Sequence, residues 1–175
     1  MLLKTLLKIR KYGDPVLETR CEPVAEFGTD ELKQLVENMF ETMYANKGVG
    51  LAAPQVGVSK RVAVIDPSAG EDPDARLVFV NPELVKLEGK QVGEEGCLSI
   101  PGFREDVKRA MKVRVRAKNV EGEEFETDCE ELLARAIQHE IDHLNGVLFL
   151  KHLSPLKRDM IRRKIRKLQQ AGEWD

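Results

Sequence analysis

The sequence predicts an α+β fold in which antiparallel sheets pack around a central helix, with one helix before it and one after it. Three observations predict this class. Short stretches rich in β-branched residues are separated by turns, one such turn is tight enough to favour antiparallel pairing, and three longer stretches repeat apolar residues at helical spacing. The 175 residues, 42% of them hydrophobic, can build one core, so a single domain over residues 1–175 is predicted.

The first predicted helix runs from about Asp30 to Ala45. Thr29 is its predicted N-cap, because a hydroxyl at that position accepts a hydrogen bond from an otherwise unpaired backbone N–H. Apolar residues recur at helical spacing along it: Leu32, Leu35, Met39, Phe40 and Met43. The helix is therefore expected to cover one face of the core.

Three stretches in the middle of the chain are predicted strands: Arg61 to Asp66, Arg76 to Asn81, and Lys112 to Lys118. The last alternates apolar with basic residues, which indicates one solvent-exposed face. Residues Asn119 to Gly122 then form a predicted turn into a short strand that ends near Thr127, and a connection this short favours antiparallel pairing.

The central helix is predicted from about Asp128 to Leu144. Thr127 followed by Glu130 has the spacing of a capping box, and Asn145-Gly146 is a typical left-handed helix end. Helical spacing places one apolar set on the face that continues into the sequence HEIDH: Leu132, Leu133, Ala136 and Ile137. That face is expected to be buried.

A last helix is predicted from about Ser154 to Gln170. It carries seven basic residues: Lys157, Arg158, Arg162, Arg163, Lys164, Arg166 and Lys167. Apolar residues recur between them at helical spacing: Leu156, Met160, Ile161, Ile165 and Leu168. The commoner explanation of such a pattern is a solvated basic face over a docked apolar stripe.

Composition narrows the class of protein. The 28 basic and 30 acidic residues give a formal net charge of -2, so nothing in the overall charge favours nucleic-acid binding. Three widely spaced cysteines indicate a reducing compartment rather than a disulfide framework. The first residues lack the apolar region of a signal peptide, and no stretch reaches the roughly 18 apolar residues of a membrane span. We therefore expect a cytoplasmic location and no membrane partner.

The sequence HEIDH predicts a metal site. His139 and His143 are four residues apart on the predicted helix, so both imidazoles project in one direction and can bind one ion. Glu140 lies beside them, where its carboxylate can take a proton from a water molecule activated by the ion. The alternative is an amphipathic helix that happens to carry two histidines. The chain has only three histidines, which favours the metal site.

A third ligand is expected upstream of the helix. A large group of zinc peptidases has a third histidine six residues after the second, and this sequence has Phe149 there. Cys97 lies in EEGCLSIPG, between glycines that allow close approach of the backbone. A thiolate there would complete a Cys/His/His set with a fourth position open. A cysteine alone is more often a small core residue, and Cys21 and Cys129 are interpreted in that way.

The segment GVGLAAPQVG, from Gly48 to Gly57, has two interpretations. Alone, it is better explained as an ordinary turn. Its functional interpretation is a glycine-lined wall that lets a peptide backbone approach, with the Gln55 amide available to a developing oxyanion.

Three segments, GVGLAAPQVG, EEGCLSIPG and QHEIDHLNG, together with KIRKYGDPVL near the start, closely resemble peptide deformylase over most of the chain. The resemblance implies an enzyme that removes the formyl group from the N-terminal formylmethionine of nascent chains, with iron(II) that zinc, nickel or cobalt can replace. It implies Cys97, His139 and His143 as ligands. It also implies roles in catalysis or substrate binding for a further set: Glu140 as general acid/base, Gln55 and the backbone N–H of Leu98 at the oxyanion, Gly48, Val49 and Gly50 along the substrate groove, and Leu132 at the methionine side chain.

In similar family members a C-terminal helix docks on the ribosome, so residues 154–170 are a candidate for contact with rRNA phosphates. Two other functions stay open from the sequence. HExxH alone is shared with enzymes that cut internal peptide bonds, although Phe149 and the surroundings of Cys97 disfavour these. A metal-stabilised ribosome-binding module without catalysis is the other.

Overall fold

A computed structural model describes residues 2–174. Its three α-helices are α1 (Asp30–Ala45), α2 (Glu131–Leu144) and α3 (Pro155–Gln170). Its strands are β1 (Gly50–Ala52), β2 (Val62–Ile65), β3 (Leu77–Glu88), β4 (Gln91–Cys97), β5 (Ile100–Arg109), β6 (Lys112–Lys118) and β7 (Glu124–Glu130). A five-stranded sheet has the order β1-β2-β3-β6-β7, and β4 pairs with β5; all pairs are antiparallel. The predicted α+β class is confirmed.

Helix α1 has the predicted bounds. The Thr29 hydroxyl accepts a hydrogen bond from the backbone N–H of Leu32 at 3.1 Å and caps the helix as expected. Met39, Phe40 and Met43 are buried against the five-stranded sheet. Burial of large apolar side chains is the main stabilising contribution of such a helix.

The segment before α1 is extended and runs along this helix. Backbone N–H groups of alternate residues, Leu3, Thr5 and Leu7, donate to side chains one helical turn apart: Gln34, Asn38 and Thr42. Further along the same segment, the N–H of Arg10 donates to the Gln55 carbonyl and the N–H of Tyr12 donates to the Ser99 carbonyl. The N-terminal segment thereby holds two loops that reach the candidate site.

The predicted strands are present, and two are longer than expected. Strand β3 continues past Asn81 to Glu88 through a register shift, with Asn81 at a φ of 51°. Strand β7 continues past Thr127 to Glu130, paired with β6 up to Lys112. A local pattern does not reveal such extensions because cross-strand pairing sustains them.

The start of α2 differs from the prediction. Residues 127–130 belong to β7, the helix begins at Glu131 with φ at 52°, and no side chain caps this end among residues 2–174. The prediction of a capping box was wrong, because pairing with β6 keeps these residues extended. The predicted end is confirmed: Asn145 closes the helix and Gly146 has φ at 75°. A Cβ at Gly146 would also lie 2.9 Å from the backbone of Glu18, so only glycine fits.

Helix α2 is central, since it packs Ala134, Ile137 and Ile141 on the five-stranded sheet and also contacts the β4–β5 hairpin. The sequence did not reveal β1 or this hairpin. Strand β4, QVGEEGC, has glycines and carboxylates in place of a β-branched run.

Helix α3 is confirmed, with the Ser154 hydroxyl at its N-cap. Ile161 and Ile165 are buried, whereas Leu156 and Met160 are exposed, so the docked stripe is narrower than predicted. Within residues 2–174, no helix combines the length and apolar character needed to span a membrane.

Candidate metal and catalytic site

The three predicted ligands lie together. The Sγ of Cys97 and one ring nitrogen of each of His139 and His143 are all within 4.8 Å of one another. The Nε2 atoms of the two histidines are 3.1 Å apart, and Cys97 Sγ lies 3.4 Å from His143 Nε2. One helical turn aligns the histidines, and the end of β4, where the register with β5 shifts, brings Cys97 to them.

A buried ionic cluster that the sequence did not reveal supports His139. Glu95 Oε1 lies 2.9 Å from His139 Nδ1, and the same carboxylate accepts two bonds of 2.9 Å from Arg109 and one of 2.6 Å from Arg135. Burial opposes ionisation of Glu95, but the bonds from Arg109 and His139 outweigh it and hold its pKa well below the usual range. Glu95 is therefore a carboxylate and accepts a hydrogen bond from His139 Nδ1. Together with the Cys97 sulfur, it outweighs the effect of burial and holds the pKa of His139 well above its ordinary value, so a metal ion that binds at Nε2 would displace a proton.

His143 differs from His139 in that its imidazole is neutral. Burial, and then the neighbouring His139, hold the pKa of His143 well below its ordinary value. A neutral imidazole is the form that binds a metal ion.

Glu140 has the properties of a proton-transfer group. It is 3% exposed, its Oε2 has no hydrogen-bond partner within residues 2–174, and burial raises its pKa to about 7. A Cβ at Gly50 would lie 3.1 Å from Glu140 Oε2, so glycine at position 50 leaves the carboxylate room beside the cleft. A group that titrates near neutrality can both accept and donate a proton.

Gln55 has a fixed amide orientation. Its Oε1 accepts from the backbone N–H of Ala52 at 3.0 Å, and its Nε2 donates to the Ser99 hydroxyl at 3.1 Å and lies 3.5 Å from Cys97 Sγ. Ser99 is fully buried. The amide nitrogen therefore faces the ligand atoms, as an oxyanion donor would. Sequence reasoning missed Ser99, which follows two residues after Cys97 in the same segment.

A cleft of about 900 Å³ opens onto this site. It is lined by nine of the ten predicted site residues, Gly48, Val49, Gly50, Gln55, Cys97, Leu98, Leu132, His139 and Glu140, while His143 lies behind the wall. The Leu98 backbone N–H has no protein partner among residues 2–174. A Cβ at Gly48 would lie 3.0 Å from the Leu98 side chain, so the two walls meet there.

Leu132 corrects one expectation. Its apolar periodicity predicts a buried helical face, but the Leu132 side chain is 64% exposed at the mouth of the cleft. Val49 on the opposite wall is 40% exposed. Large apolar side chains that are exposed to solvent beside a cleft are typical of a surface that binds an apolar group.

Comparisons with known proteins agree with this geometry. The family model described as polypeptide deformylase matches residues 6–159. The chain is 61% identical to a peptide deformylase of Acidobacterium capsulatum, covering 95% of this chain and 97% of that one, and 48% identical to that of Thermodesulfovibrio yellowstonii, covering 92% and 97%. The crystal structure of a Legionella pneumophila peptide deformylase superposes with a TM-score of 0.89 at 46% identity, covering 98% and 99%.

Proposed function

This chain belongs to the polypeptide deformylase family, and we propose that its reaction takes place at Cys97, His139 and His143. The chain is thus a metal-dependent hydrolase that removes the N-formyl group of nascent polypeptides and releases formate. The observation that carries this proposal is the convergence of their three ligand atoms on one point of the cleft. No other group of His, Cys, Asp and Glu side chains within residues 2–174 converges in this way.

The donor set fits a divalent ion. Glu95 accepts a hydrogen bond from His139 Nδ1, which orients Nε2 toward the shared point, and a Cys97 thiolate would complete three ligands with room for a fourth. A bound ion would act as a Lewis acid on the formyl carbonyl and would activate water.

We propose iron(II) as the native ion, with zinc, nickel or cobalt as replacements. A mixed thiolate and imidazole set accepts all four, so the preference follows from the family resemblance. Metal analysis of protein purified without oxygen tests the identity of the ion. A preparation that contains zinc alone would contradict the proposal that iron(II) is the native ion.

Glu140 is the proposed proton carrier. Its unpaired Oε2 faces the cleft, where it accepts a proton as water adds to the formyl carbon and delivers that proton to the departing amine nitrogen as the C–N bond breaks. The Gln55 amide and the Leu98 N–H donate to the oxygen on which negative charge develops. Formate and a free N-terminal amine result.

The cleft walls are the proposed substrate site. Gly48, Val49 and Gly50 allow an extended peptide backbone to approach β1. Leu132 is the proposed contact of the methionine side chain, since it is exposed at the cleft and apolar.

One assay tests the assignment. Anaerobically purified protein is incubated with formylmethionyl peptides and, separately, with peptides blocked at both ends. Formate from the first alone, with no new amine from the second, is the expected result. Glu140→Ala should retain the metal and lose most turnover, whereas Cys97→Ala should lose metal affinity. A fully active Glu140→Ala protein would contradict the role of Glu140.

We further propose that residues 1–175 form one catalytic domain, that it acts in the cytoplasm, and that the basic face of α3 contacts the ribosome. Ile161 and Ile165 dock α3 on the hairpin side of the core, while six of its seven basic residues are exposed and Arg158 is half-buried. Co-sedimentation with ribosomes at increasing salt tests the contact. Sedimentation unaffected by salt, or by reversal of the α3 charges, would contradict it.

A further inference from the structure

A second, smaller cleft lies apart from the catalytic one. It has a volume of about 310 Å³ and shares no lining residue with the catalytic cleft. Its wall consists of Tyr12, the end of the 3-10 helix Pro15–Glu18, the loop after α2 with the 3-10 helix Phe149–His152, and the first two turns of α3. Gly146 packs directly against the backbone of Glu18, which fixes the two sides of this cleft relative to each other.

Three cations line this cleft: Lys151, Arg158 and Arg162. Within residues 2–174, none of their side chains is in an ion pair or a hydrogen bond. The Nε of Arg158 is buried without a partner. One carboxylate, Glu18, also lines the cleft, so the lining has an excess of positive charge.

The positive charges of this cleft repel one another, and a bound anion would relieve that repulsion. Arg158 and Arg162 are four residues apart on α3, and like charges at that spacing repel. The first turn of α3 has no acidic residue, so Arg158 also lies near the positive end of the helix dipole without compensation. A nearby cation outside the cleft, Lys157, is paired with Glu105.

We propose that this cleft is a binding site for a phosphate group, held by Lys151, Arg158 and Arg162. Guanidinium groups bind phosphate oxygens in a bidentate manner, and a multiply charged anion offers an acceptor to each of the three cations. The phosphate belongs to a free phosphate compound, since a cleft of about 310 Å³ has the size for a small anion. The site is independent of the deformylation proposal, since it involves a different cleft.

The test compares two charge-matched double variants of the full chain. Arg158→Gln with Arg162→Gln removes two cations of the cleft, and Arg163→Gln with Arg166→Gln removes two exposed cations of the same helix that lie outside it. Lys151→Gln alters the cleft from another element. The thermal midpoint is measured in inorganic phosphate and in chloride at equal ionic strength, and the affinity for inorganic phosphate is measured by isothermal titration calorimetry.

Phosphate is expected to raise the midpoint of the wild type and of the control pair by about 2–4 °C, and not that of the cleft variants. Phosphate affinity is expected to fall about tenfold or more in the cleft variants and to stay unchanged in the control pair. Equal behaviour of the cleft pair and the control pair in both measurements would overturn the proposal.

Discussion

The Glu95 carboxylate accepts a hydrogen bond from Nδ1 of His139 at 2.9 Å, and Arg109 and Arg135 hold that carboxylate in place. Both arginines reach it from different elements, β5 and α2, with less than a tenth of either residue exposed. The orientation of one metal ligand thus depends on an ionic cluster buried beneath the site.

Glu95→Gln should therefore weaken metal binding by about 10- to 100-fold, because the amide fixes His139 less well. It should also lower the free energy of unfolding of the metal-free protein by about 3–5 kcal/mol, because Arg135 loses its buried counter-charge and Arg109 keeps only Asp142. Metal titration and urea unfolding measure the two effects. Glu94→Gln is the matched control, since Glu94 pairs with Arg104 at the surface. Metal affinity equal to wild type in Glu95→Gln would contradict the orienting role.

Ser99 is predicted to act through Gln55. Ser99→Ala removes the acceptor that fixes the Gln55 amide, so kcat should fall by about tenfold or more while KM is less affected. Outright loss of an oxyanion donor lowers kcat by about 100- to 1000-fold, and a misplaced donor should cost less. Steady-state kinetics on a formylmethionyl tripeptide measure this.

The double variant provides the control. In a Gln55→Ala background, Ser99→Ala should cause little further loss, because the two residues form one unit. Independent, multiplicative losses would show that Ser99 acts by another route.

The local part of the site could be predicted from the sequence, and the part assembled from distant elements could not. His139, Glu140 and His143 follow from helical spacing alone, and Cys97 from the need for a third ligand. Glu95 could not be distinguished from Glu94, because the two neighbours differ only in which face of β4 they occupy. The partners of Glu95 lie 14 and 40 residues away.

The same limit explains the errors in the fold. Thr127 and Glu130 match a capping box, but pairing with β6 extends them into β7 instead. Leu132 fits the apolar periodicity of α2, yet it lies where the helix borders the cleft rather than the core. Periodicity identifies the apolar residues and does not say whether core or ligand covers them.

Leu132→Ala tests whether this exposed side chain contacts the methionine of the substrate. Selectivity for formylmethionyl over formylalanyl peptides, as the ratio of kcat/KM, should fall by about 10- to 50-fold, as expected for loss of two or three buried methylene equivalents. The free energy of unfolding should change by less than about 0.5 kcal/mol, because Leu132 is mostly exposed.

Leu133→Ala is the neighbouring control. Leu133 is half-buried against the five-stranded sheet, so its truncation should destabilise the protein without changing selectivity. Unchanged selectivity in Leu132→Ala would exclude it from the methionine site.

Asp66 gives a pH-dependent prediction away from the metal. This buried carboxylate follows β2, its backbone N–H donates to the Val49 carbonyl, and it accepts bonds from Ser68, Gly70 and Tyr44. Burial alone would raise the pKa of Asp66, but the bonds from Ser68, Tyr44 and Gly70 outweigh burial and hold the pKa below its ordinary value. Because the pKa is lower in the folded chain than in the unfolded chain, the ionised form stabilises folding. That stabilisation is complete above the ordinary aspartate pKa of about 3.9 and is lost as the pH falls through the folded value.

Asp66→Asn should thus lower the free energy of unfolding by about 1–3 kcal/mol at pH 7, and the difference from wild type should shrink as the pH is lowered below about 4. Urea unfolding at pH 7, 5, 4 and 3 measures it. Asp74→Asn, at an exposed carboxylate of the following loop, should show no such dependence. A difference between Asp66→Asn and wild type that stays constant from pH 7 to pH 3 would show that Asp66 stabilises this loop by shape and not by charge, since only an ionised carboxylate loses its contribution on protonation.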